Sequence, residues 1–232
     1  MTTPPQHLAF FSDVKGKNPD FQPNVTRSGL NQNTDLLVDN SPFSRFYHVV
    51  VNDASRQPRY DLVAIAEPTG AITLPVDDQN RIALIRHWRA IPSTVPGSVP
   101  FNNPLKSSHG FYSIELPRGF PERDETHCDA AAREVREELG IGTRKVCQLG
   151  WCNFNTAIAM TDIPVFAVLV DPQEKVTDSK DEAEVIDSIE WVSMEQLGDY
   201  VLSGAIRCAL TLAAISYAFA ARGQIAEFVR KR

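Results

Sequence analysis

Cysteine is scarce here, with four residues in a chain of 232. Cys128, Cys147, Cys152 and Cys208 show neither CxxC pairing nor zinc-ligand spacing. Nothing therefore points to a redox motif or a structural zinc site, and a reduced, cytoplasmic protein is expected. Cys128 and Cys208 read as small core or helix residues. Positive charge is also in deficit. A net charge of −6 excludes a broad electrostatic attraction to nucleic acid, so a small anionic substrate would need local help from arginine and metal. The N-terminus lacks a basic segment followed by an apolar one, so no secretion signal is expected, and the sequon Asn24-Val25-Thr26 carries no meaning. Long hydrophobic runs are missing too. The most apolar stretch, Ala205 to Ala221, is short and interrupted by Arg207. It reads as a buried helix rather than a membrane span. No internal repeat or long low-complexity tract is present.

What remains is ordinary for a soluble domain, with 43% hydrophobic and 22% charged residues. The length allows one large domain, or one with an accessory segment, and a sizeable core. Residues 1–42 are rich in Pro, Asn, Ser and Thr with scattered aromatics. They read as an arm that packs in part on the body through those aromatics. Residues 43–76 read as antiparallel strands and 77–232 as the main domain. Short apolar runs at Arg45–Asn52, Leu62–Glu67, Ala71–Val76 and Arg81–Arg86 are separated by turn residues and predict strands. A loop from Ile91 to Gly110 precedes a strand near Tyr112–Leu116. Further strands are expected near Lys145–Cys152, Pro164–Asp171 and Ser188–Val192. An acidic loop from Glu174 to Glu184 precedes the last of these, and helices follow from Met194 and from Ala205 to Arg222. Strands first, one embedded helix and helices last give an α+β sandwich around a mixed sheet.

The embedded helix is the informative element. Its run is Gly119-Phe-Pro-Glu-Arg-Asp-Glu125-Thr-His-Cys-Asp-Ala-Ala-Ala-Arg133-Glu134-Val135-Arg136-Glu137-Glu138-Leu139-Gly140-Ile141. Thr126 with Asp129 suits a helix start, and Gly140 suits a stop. Ala131, Val135 and Leu139 form an apolar stripe opposite the acidic face. Glu134, Glu137 and Glu138 stand at i, i+3 and i+4, so they share that face. Crowded carboxylates oppose one another's ionisation, and a divalent cation relieves the repulsion. Mg²⁺ takes few carboxylates, several waters and substrate phosphates. The helix reads as a metal platform for a phosphate ester or anhydride.

This run resembles the signature of the Nudix hydrolases, Gly, five residues, Glu, seven residues, Arg-Glu-aliphatic-x-Glu-Glu-x-Gly-aliphatic, and fills every fixed position. The resemblance implies a Nudix-type α/β/α sandwich and a Mg²⁺-dependent pyrophosphatase, with Mn²⁺ a substitute. It implies Glu134 and Glu138 as principal metal ligands, joined by Glu125, Glu184 and the backbone carbonyl of Arg118. It implies Glu137 or Glu182 as the base, and Arg133 as the residue that orients a glutamate. Leu84-Ile-Arg-His-Trp-Arg89 resembles the hydrophobic-Arg-Gln-Tyr-Arg segment of the ADP-ribose and nucleotide-sugar pyrophosphatases. Glu115-Leu-Pro-Arg-Gly119, Glu182-Ala-Glu184 and Ser203 to Ala209 resemble further segments of the same enzymes. From that resemblance Arg89 binds the diphosphate, Trp88, Phe46 or Tyr47 stacks on a base, and the early strands join a homodimer. His87 and His127 read as surface residues. The region Asn153–Thr161 departs from the turn those enzymes usually carry, and Arg118 replaces a small residue.

The expected reaction is hydrolysis of ADP-ribose to AMP and ribose 5-phosphate. The alternatives are cleavage of a UDP- or GDP-sugar, a non-catalytic ADP-ribose-binding module, or a Nudix enzyme for damaged triphosphates or capped RNA. Neither nucleic acid nor a membrane is expected as a partner.

Overall fold

The computed structural model describes residues 6–7, 31–89, 111–176 and 184–230. The expected loop at 91–110, most of the N-terminal arm and Glu182 lie outside them. The strands are β1 (Gln6–His7), β2 (Asn31–Asn40), β3 (Ser44–Asn52), β4 (Pro58–Ala66), β5 (Ala71–Val76), β6 (Ile82–Arg89), β7 (Phe111–Glu115), β8 (Arg118–Gly119), β9 (Ile141–Cys152), β10 (Ile163–Lys175) and β11 (Ile186–Val192). The helices are α1 (His127–Leu139), α2 (Met194–Leu202), α3 (Ala209–Ala220) and α4 (Arg222–Arg230).

Two sheets form. In the larger, the strand order is β1-β9-β10-β5-β6-β11. It is mixed, because β10 runs parallel to β5 but antiparallel to β9. All six residues of β5 are buried, as expected of a strand covered on both faces. β5 and β6 pair only at Val76↔Ile82. Beyond that point β6 pairs with β7 and β5 with β8, so the segment 111–119 fills the gap where the two central strands diverge. Thr73 locks it there, donating from its backbone N–H and its hydroxyl to the Pro117 carbonyl, each at 2.9 Å.

Helices cover both faces of this sheet. Ala130, Ala131, Val135 and Leu139 of α1 pack with Ala83, Ile85, Phe166 and Val168 on one face. On the other, Leu74, Leu84, Val165 and Leu169 meet Leu197, Ile215, Ile225 and Phe228 from α2, α3 and α4. This is the expected α/β/α sandwich. The smaller sheet, β2-β3-β4, is antiparallel. It spans residues 31–66, so it begins inside the segment read as an arm and ends before β5. A loop from Asn153 to Thr161 ties the sheets together through Ile65, whose N–H donates to the Ile158 carbonyl (2.7 Å) and whose carbonyl accepts from Met160 (2.9 Å).

The last helix differs from expectation. It starts at Ala209 rather than Ala205, and α4 follows it. Gly204 takes a left-handed φ of 73°, which glycine adopts without steric cost. The extended residues that follow carry Ile206 into the core, at 2% exposure. Among the described residues no helix is long and apolar enough to cross a membrane. Phe228 is 1% exposed, and Phe228→Ala is expected to cost about 3–5 kcal/mol. Urea unfolding checks this; a cost below ~1 kcal/mol would show that α4 is not part of the core.

Candidate active site

The signature helix is fixed at both ends before any chemistry is asked of it. The Thr126 hydroxyl oxygen accepts from the Asp129 N–H at 3.2 Å, which satisfies an orphan donor of the first turn. Gly140 closes the helix in the left-handed region (φ 64°), its N–H donating to the Arg136 carbonyl at 2.9 Å. With its apolar stripe on the sheet, α1 turns its glutamates toward the loop at Arg118 and Gly119.

Arg133 organises those glutamates. Its Nη1 donates to Glu134 Oε1 (2.9 Å) and Glu137 Oε2 (2.7 Å), and its Nε to Glu125 Oε1 (3.1 Å). Nη2 donates to Glu125 Oε2 (3.1 Å) and to the Phe120 carbonyl (2.8 Å). Arg133 thus contacts three glutamates at once. Glu125 also accepts from the Glu122 N–H at 2.8 Å.

Glu134 and Glu138 are 7% and 2% exposed. Burial raises Glu134 to about pH 7, helped by the charges of Glu184 and Glu137 and opposed by Arg133. Burial also raises Glu138 well above the usual carboxylate range, again with Glu184 and Glu134 adding to the effect. The Arg118 backbone works in the opposite direction and lowers it in part, yet Oε2 of Glu138 has no hydrogen-bond partner. A buried acceptor left unpaired costs roughly 1–3 kcal/mol. Gly119 packs directly against this cluster, since a methyl group there would overlap the Glu134 carboxylate and displace it.

A cleft of about 560 Å³ opens beside this cluster, lined by Glu134, Glu137 and Glu184 together with Arg89, Arg118 and Arg133. Glu115, which sequence reading gave no role, anchors two of these arginines. It is 3% exposed, accepts from Arg89 Nε (3.2 Å) and Nη2 (2.7 Å), and pairs with Arg118 Nη2 at 3.0 Å. Burial works against its charge, but Arg89 and Arg118 outweigh that and hold its pKa below the ordinary value. Arg118 also donates to Cys208 Sγ at 2.9 Å. Glu115 and Cys208 thus accommodate its replacement of a small residue, while the side chain still lines the cleft.

Trp88, Phe46 and Tyr47 do not line the cleft; Phe43 and Phe120 do. His87 departs from the reading that placed it on the surface. It is 3% exposed, and burial, with Arg89 nearby, lowers its pKa to about 4. Position 87 shares the strand face of Ala83 and Ile85, and that alternation was the available signal.

The comparisons agree with this geometry. A family profile described as NUDIX domain matches residues 66–207, and the chain belongs to the Nudix family. It is accordingly a hydrolase of the pyrophosphatase kind. No curated protein matches its sequence. Its fold is similar to that of a crystal structure titled ADP compounds hydrolase, at 17% identity and a TM-score of 0.59, over 84% of this chain and 94% of that one.

The raised carboxylates make a prediction. Glu134 goes from an ordinary 4.5 to about 7 on folding, so between those pH values the folded protein holds a proton that the unfolded chain has released. Without a cation, stability is greatest below that window and falls as pH rises through it, by at most ~3 kcal/mol for this group. Glu134→Gln should flatten that part of the fall in chelator-treated protein melted across pH. An unchanged pH profile in the variant would contradict the shift.

Proposed function

We propose that this chain hydrolyses the diphosphate bond of a nucleoside diphosphate linked to a second moiety. ADP-ribose is the substrate, AMP and ribose 5-phosphate are the products, and Mg²⁺ or its substitute Mn²⁺ is required. The carrying observation is that Glu134 and Glu184 line one cleft with Arg89 and Arg118, while Glu138 lies buried and coupled to both glutamates. Acceptors for a cation stand beside donors for phosphate. The unpartnered Oε2 of Glu138 and the oxygen-rich donor set fit a hard divalent ion. When bound, such an ion neutralises diphosphate charge and acidifies a water.

The chain's own residues do the rest. Arg89 spends Nε and Nη2 on Glu115, which leaves its Nη1 donors for a phosphate. Glu137 takes the proton of the attacking water; its side chain is 23% exposed, against 9% for Glu134. Glu182, the other candidate base, lies outside the described residues. Phe43 and Phe120 offer apolar faces to a base. The cleft volume suits a small-molecule site. The fold likeness to an ADP compounds hydrolase and the flanking segments favour ADP-ribose. The protein works in the cytoplasm as a homodimer. Leu36, Leu37, Val38, Tyr60 and Val63 on the small sheet are exposed, and large apolar side chains left exposed suit burial by a second copy.

Product analysis against ADP-ribose, NAD, UDP-glucose, GDP-mannose and nucleoside triphosphates tests the reading. AMP and ribose 5-phosphate are expected from ADP-ribose, and turnover of a nucleotide sugar instead would overturn the substrate but keep the chemistry. Glu138→Gln should lower kcat about a hundredfold or more. Arg89→Ala should act mainly on KM, by about tenfold. Full activity in Glu138→Gln would sink the metal site.

A further inference from the structure

One imidazole stands in this site where the resembling segment carries an amide. His87 comes from β6, Glu138 from α1, and Glu184 from the residues just before β11. One ligand atom from each lies within 4.8 Å of the other two. His87 Nδ1 and Glu138 Oε2 are both buried and both lack a hydrogen-bond partner. A histidine that serves only packing normally has its ring nitrogens satisfied. Two residues that each keep an orphaned buried atom, and whose ligand atoms close on one acidic side chain, fit a single shared ion. Two donors about 2.0–2.3 Å from a shared ion are at most ~4.6 Å apart, so the arrangement needs to tighten only slightly.

We infer that His87 is a nitrogen ligand to the divalent cation of this site, together with Glu138 and Glu184. This rests on the cation reading above and adds a consequence. Carboxylate, carbonyl and water suit both Mg²⁺ and Mn²⁺, whereas imidazole is a ligand of first-row transition-metal ions. The nitrogen donor therefore gives Mn²⁺, itself such an ion, a contact that the harder Mg²⁺ uses less well, although Mg²⁺ can still occupy the site through the glutamates.

The test reads the metal directly. Metal-free full-length protein is loaded with Mn²⁺ and examined by electron spin-echo envelope modulation, with and without histidine-selective ¹⁵N labelling. The expected result is a ¹⁴N imidazole signal that changes with the label and is lost in His87→Gln. In Mn²⁺ titrations followed by electron paramagnetic resonance, His87→Gln should weaken binding about tenfold. Its affinity for competing Mg²⁺ should change much less. Mn²⁺ bound without nitrogen coupling in the unmodified protein, and lost in Glu138→Gln, would overturn the role of His87 while leaving the carboxylate site intact. No Mn²⁺ binding at all would overturn both.

Discussion

The free energy of this site is governed by two carboxylates taken out of water. Glu134 and Glu138 sit where burial disfavours their charge, and the charge of Glu184 raises both further. Arg133 offsets part of that cost for Glu134, but burial still wins, because Glu134 remains raised to about 7. An arrangement that is unfavourable by itself and carries an orphaned oxygen is the kind of local strain that functional sites retain. Binding of a positive charge would convert the repulsion into attraction.

The scaffold serves that constraint. The wedge of β7 and β8 between the diverging β5 and β6 brings the Arg118 backbone to Glu138 and sets Gly119 against Glu134. The same wedge carries Glu115, which holds Arg89 and Arg118 at the cleft. One short segment therefore touches both the glutamates of α1 and the arginines of the cleft. Misplacing that segment would disturb both sets, and Thr73 and Pro117 hold it to the central strand. The loop Asn153–Thr161, which departs from the related enzymes, is committed to β4 through Ile65, so its sequence serves the union of the two sheets.

Local patterns were legible and tertiary ones were not. The helix at His127–Leu139 announces itself by its apolar stripe, its threonine cap and Gly140, all of which act within a few residues. Strand β5 was legible to the residue because it is short, apolar and bounded by Gly70 and Asp77. Strand β2 was not, since Asn31-Gln-Asn-Thr shows no alternation and its pairing with β3 decides its form. The start of α3 was misplaced because the apolar run continues through Ile206, which enters the core from an extended segment. The ion pairs of Glu115 depend on contacts across the sheet that no spacing encodes, whereas the burial of His87 follows the alternation of β6. Phe43 and Phe120 reach the cleft from a hairpin and a loop, where aromatic residues carry no periodic signal.

The most direct measurement is the melting temperature of chelator-treated protein at about pH 8, with and without saturating Mg²⁺. The account predicts a rise of several degrees, from binding to the folded state alone. The Glu134→Gln, Glu138→Gln double variant should gain nothing from Mg²⁺ and should already melt higher than the unmodified protein in chelator. A melting temperature indifferent to Mg²⁺ in the unmodified protein, or a double variant that is less stable in chelator, would contradict the claim that these buried carboxylates are held apart for a cation.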